Sequence, residues 1–136
     1  MHLGTVAVAA ASLTTLTGAV PTASEPYGRN VEQWGLYELV LAGPTNGNPF
    51  LEVHFAARFA QGYDSIEVPG FYDGDGVYRV RFMPNRQCQW TYTTLSSAPA
   101  LNGATGELTV VKPSSGNHGP VGITNTFHFA YADGTP

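Results

Sequence analysis

The chain has 136 residues, 43% apolar, 12% aromatic and only 12% charged, with 16 glycines and 10 prolines. That length gives one domain, and the composition belongs to a packed core with short strands and tight turns rather than long solvated helices. Six basic residues against ten acidic ones give a net charge of −4, and no basic cluster exists, so no nucleic-acid partner is expected.

Cys88 is the sole cysteine, which rules out an internal disulfide and any all-cysteine zinc site. From Leu3 to Val20 the chain carries no charge and is rich in Ala, Val, Leu and Thr. This has the character of a secretory leader, with Thr22-Ala23-Ser24 offering small residues for cleavage. The absence of Lys or Arg before Leu3 argues against it, leaving a disordered N-terminus as the other reading. Ser12, Thr14, Thr15 and Thr17 dilute the run too far for a membrane span, so no membrane partner is expected. Pro21 to Gly28 reads as a linker, and residues 1–29 together form a leader and linker.

Beyond Asn30 the apolar residues recur with period two. Val31 to Leu41 reads as a strand with Tyr37, Leu39 and Leu41 inward and Trp34, Leu36, Glu38 and Val40 on the opposite face. Leu51 to Phe59 alternates most cleanly, with Leu51, Val53, Phe55, Ala57 and Phe59 on one side and Glu52, His54 and Arg58 on the other. Ser65 to Phe71 follows. Val77 to Phe82 places Tyr78, Val80 and Phe82 inward, and Trp90 and Tyr92 continue the pattern across Pro84-Asn85, so these two runs read as a hairpin. Glu107 to Lys112 and Ile123 to Phe129 complete about seven antiparallel strands. The expected fold is all-β, an immunoglobulin- or fibronectin-like β-sandwich spanning residues 30–113, with a small barrel as the alternative. Residues 114–136 read as a linker and the start of something further.

No arrangement carries catalysis. The four histidines lack the spacing of a helical zinc site, and no nucleophile elbow is present. Glu52 and Glu67 could fall on neighbouring strands, but an exposed sheet face offers no pocket to raise one pKa, so no glycosidase pair is assigned. No cofactor is expected. Asp73-Gly74-Asp75-Gly76 resembles the opening of a calcium loop, yet Val77 occupies the third ligand position, so a turn is the better reading, with Asp73 and Asp75 a weak calcium candidate. An outward Trp34-Leu36 pair points to an interface, either against a neighbouring domain or by stacking on a sugar, unless Trp34 is simply a strand-end tryptophan. Tyr72 and Tyr63 are further aromatic candidates for sugar stacking.

Several segments resemble one family in order and spacing. They are Val31-Glu32-Gln33-Trp34-Gly35 with Tyr37-Glu38, then Gly43-Pro44 and Asn48-Pro49-Phe50. Val68 to Gly76, Arg81-Phe82-Met83-Pro84, Trp90 to Thr94 and Gly116-Asn117-His118-Gly119-Pro120-Val121 follow. The family is the N-terminal β-sandwich, a domain of unknown function, that precedes the TIM barrel of apiosidase-like and related bacterial glycoside hydrolases. Cys88 departs from it, since related sequences have Gly there. Asn125 to Pro136 resembles the lead-in to the barrel. The resemblance implies a non-catalytic accessory module of a secreted or periplasmic carbohydrate-degrading enzyme, with the catalytic TIM barrel of the parent chain as partner and polysaccharide as a further one. The alternative is a stand-alone carbohydrate-binding module using exposed aromatics.

Overall fold

The computed structural model describes residues 19–26, 28–124, 126 and 128–136. The leader-like run lies outside them apart from Ala19 and Val20. In chain order the elements are β1 (Asn30–Glu32), β2 (Tyr37–Ala42), a single helical turn α1 (Pro49–Glu52), β3 (Phe55–Gln61), β4 (Asp64–Pro69), β5 (Phe71–Gly74), β6 (Val77–Phe82), β7 (Gln89–Ser96), β8 (Thr105–Val111), β9 (Val121–Thr124) and β10 (His128–Tyr131). A sheet in the order β1-β8-β7-β3-β4 faces a second in the order β2-β6-β5, while β9 and β10 form a two-stranded sheet of their own. Pairings are antiparallel except β1 with β8. The protein is an all-β sandwich.

Most of the inward sets expected from alternation are buried. Phe55, Ala57 and Phe59 of β3, Tyr78, Val80 and Phe82 of β6, Trp90 and Tyr92 of β7, and Tyr37, Leu39 and Leu41 of β2 all fill the space between the sheets. Phe59 stacks on Phe82 across the interface, centroids 4.0 Å apart. Trp90 meets Phe82 edge-on at 5.2 Å, and its indole N–H donates to the Arg86 carbonyl. Each such side chain contributes roughly 1.5–3 kcal/mol by leaving water.

Several expectations are corrected. Ser65 to Phe71 is not one strand, since Pro69 ends β4 in one sheet and Phe71 opens β5 in the other, and Ile123 to Phe129 spans two paired strands, β9 and β10. The run Val31 to Leu41 is not one strand: β1 belongs to the five-stranded sheet and β2 to the three-stranded one. The chain crosses between them through a turn in which Gly35 N–H donates to the Glu32 carbonyl. A Cβ on Gly35 would sit 2.9 Å from that oxygen, so only glycine fits there. Likewise β6 and β7 are not a hairpin, because they lie in opposite sheets and residues 83–88 bridge the sandwich. Finally, Pro49 opens α1, so Leu51 and Glu52 leave the strand and are exposed; proline suits a first helical position better than a ladder.

Candidate functional site

Two carboxylates sit inside the architecture. Glu25 belongs to the segment read as linker, yet Ser24 bridges the edge of β2 at Val40, and Glu25 Oε1 accepts from the Tyr37 hydroxyl at 3.1 Å and the Tyr92 hydroxyl at 3.0 Å. Arg29 donates to Oε2 at 3.0 Å. Burial, reinforced by this carboxylate, pushes the Tyr92 hydroxyl up to about 12 and the Tyr37 hydroxyl higher still, so both remain donors. No sequence pattern links Glu25 to tyrosines 12 and 67 residues away.

Glu38 lies on the outer face of β2 as expected, but it is only 4% exposed. It accepts from Arg81 at 2.7 Å and from Arg79 at 2.6 Å, and Arg79 reaches on to Asp73 at 2.6 Å. The cross-strand pairing of Glu38 with Arg81 brings them together. Hydrogen bonding from Arg81, and then from Arg79, holds the Glu38 carboxyl below its ordinary value despite its desolvation. The Arg81 guanidinium also lies over the Phe71 ring, 5.1 Å from its centroid.

The residues singled out from the sequence do not form one surface. Leu36 is exposed. Tyr72 is half-buried inside an aromatic cluster, 4.9 Å from Tyr78 and 5.0 Å from Phe50 by ring centroids, and its hydroxyl accepts from Gly76 N–H. Asp73 is engaged by Arg79. Asp75 sits in the turn between β5 and β6 at φ 49°, and among the described residues no three His, Cys, Asp or Glu side chains gather around one point.

Trp34 is in the turn after β1, at φ 63°, with its N–H bonded to the Pro84 carbonyl at 2.8 Å. A tryptophan holds that left-handed backbone only where its surroundings enforce it. They do: the indole lies against Gly119, where a Cβ would also come within 2.9 Å of the Ala132 Cβ. Around it, Glu32 accepts from Ser114 and Asn117, Asn117 donates to the Gln33 carbonyl, and His118 Nδ1 meets Asp133 Oδ2 at 2.7 Å. Hydrogen bonds from His118 and Thr135 hold the Asp133 carboxyl at about 2. Trp34, Ser114, Asn117, His118 and Asp133 rim a cleft of about 300 Å³. Glu32, Gln33 and Trp34 thus fasten the C-terminal residues to the sandwich, through contacts between positions up to 85 apart that alternation does not encode.

Those C-terminal residues carry a further feature the sequence reading did not single out. In β9 and β10, Val121 pairs with Tyr131 and Ile123 with Phe129, which puts the four side chains on one face, 55%, 39%, 70% and 70% exposed respectively. Exposed cross-strand apolar pairs on two neighbouring strands were the available signal.

What fold and side chains define is a β-sandwich domain whose internal carboxylates are held by its own donors. The family described as "Domain of unknown function (DUF5060)" matches residues 30–97, half of the 136-residue chain, and the chain belongs to that family. Its structure is similar to the crystal structure of a provisionally assigned glycoside hydrolase from Bacteroides vulgatus, with a TM-score of 0.76 and 42% identity over 79% of this chain. The chain spans 21% of that protein's length. No curated protein sequence matches it.

Proposed function

We propose that the chain is a non-catalytic accessory module, immunoglobulin-like in architecture, of a secreted or periplasmic carbohydrate-degrading glycoside hydrolase, and that it packs against the catalytic TIM barrel of the apiosidase-like type. The observation that carries this reading is the relation of part to whole: at 42% identity, the chain corresponds to about a fifth of a larger protein of that provisional class. Residues 30–113 are the module, and residues 114–136 lead out of it.

The disposition of acid groups supports the non-catalytic assignment. A glycosidase needs two carboxyl groups flanking the scissile bond, one with a raised pKa. Here Glu25, Glu38 and Asp133 are tied to tyrosine, arginine and histidine. Asp64, Glu67 and Asp73 pair with arginines, and Glu107 accepts from Gln89. The carboxyls whose values move, Glu32, Glu38 and Asp133, move downward, towards permanent ionisation. That is the wrong direction for a general acid.

Purified chain should hydrolyse neither aryl glycosides nor polysaccharides, while the uninterrupted parent does. Turnover by the chain that survives repurification and disappears in an E38Q variant would overturn the assignment. One observation favours the second reading, a carbohydrate-binding module: Tyr63, on the turn between β3 and β4, is fully exposed, as a sugar-stacking ring needs to be. Retardation in a polysaccharide affinity gel that Tyr63→Ala abolishes would establish it in place of docking.

A further inference from the structure

We infer that the apolar face of the β9–β10 hairpin is the surface on which the parent enzyme's catalytic domain sits, held in place by Trp34 and His118. The inference rests on the accessory-module reading above and names the contact that reading requires. A two-stranded hairpin by itself is marginal in water and needs a third strand or a covering surface. Among the described residues, this one pairs with neither sheet of the sandwich. Between Val121 and Tyr131 the chain has no Asp, Glu, Lys or Arg, and interface cores are depleted of such residues in the same way.

Geometry selects the occupant. After Tyr131 the chain folds back, with Tyr131 N–H donating to the Thr135 carbonyl at 2.8 Å and Gly134 N–H to the Tyr131 carbonyl at 2.9 Å. This brings Pro136 into a shallow cleft of about 240 Å³ shared with Val121, Phe129, Ala130 and Tyr131. A domain continuing from Pro136 therefore starts on the apolar face itself, where tethering makes the contact intramolecular and raises its effective concentration. The orientation is set beforehand by Trp34 against Gly119, which in turn lies against Ala132, by Asp133 N–H to the His118 carbonyl, and by the His118–Asp133 pair. Trp34 is thus a positioning residue for the docking hairpin rather than part of the docked surface.

Hydrogen exchange compares the 136-residue chain with the uninterrupted parent polypeptide. Amides of residues 121–131 should exchange roughly 30-fold more slowly in the parent, and an I123D/F129D variant of the parent should lose most of that protection, in line with removal of two central anchors. I66D, an equally apolar change at the exposed edge strand β4, should leave it intact. Equal exchange in chain and parent would place the docking elsewhere and sink this inference while leaving the accessory role standing. A reading frame that stops at Pro136 would sink the accessory role itself. A dimeric 136-residue chain in sedimentation, made monomeric by Ile123→Asp, would assign the face to a second copy and overturn the inference.

Discussion

The sandwich and the terminal hairpin use the same local code and end in opposite environments. In β3 and β6 every second residue is apolar, and those residues meet the facing sheet: Phe59 on Phe82, Phe55 on Tyr78. In β9 and β10 Val121, Ile123, Phe129 and Tyr131 alternate in the same manner and face water. Alternation specifies which side chains share a face. It does not say whether anything lies opposite. In the sandwich the partner sheet comes from the same 136 residues, whereas the hairpin's partner is proposed to come from the parent enzyme.

Substitutions sharpen that contrast. Trp90→Ala opens a void between the sheets beside Phe82 and should cost about 3–5 kcal/mol in denaturant unfolding; an unchanged midpoint would break the account of the core. Glu38→Ala removes an almost fully buried acceptor from two partly exposed arginines. It should cost about 1–3 kcal/mol, between the limits for exposed and for buried ion pairs.

The same group makes a pH prediction. Glu38 ionises in the folded state below its ordinary value of 4.5, so its contribution is complete above that value and is lost as pH falls through the depressed folded one. Stability of the chain should decline below about pH 5, and the decline should be shallower in E38Q than in the unmodified protein when unfolding is followed from pH 6 to pH 3 as a function of denaturant. Parallel declines would remove Glu38 from the acid response. The smallest effect belongs to the hairpin. In the 136-residue chain, Ile123→Asp replaces a side chain already in water and should shift stability by no more than about 0.5 kcal/mol, measured in the same unfolding experiment. A loss as large as that at Trp90 would show the hairpin to be part of the chain's own core.

Much of the architecture was legible from residues alone. The all-β class, the turn at Asp73 to Gly76 and the inward faces of β2, β3, β6 and β7 follow from period-two alternation and turn chemistry. The candidate site was less so. Trp34 was read as part of a strand face because it shares its parity with Leu36, Glu38 and Val40, and only Gly35 marks the crossing between sheets. Tyr72 was read as available for stacking, but the β5–β6 turn folds it onto Tyr78.

By itself, the sequence determined which side chains leave water together, because side-chain direction along a strand is a nearest-neighbour property. Tertiary structure alone decided which strands are neighbours, that Glu25 reaches between Tyr37 and Tyr92, and that Trp34 packs on Gly119. Those contacts join positions as far apart as Trp34 and Gly119, and their energy comes from geometry that exists only once the two sheets have closed.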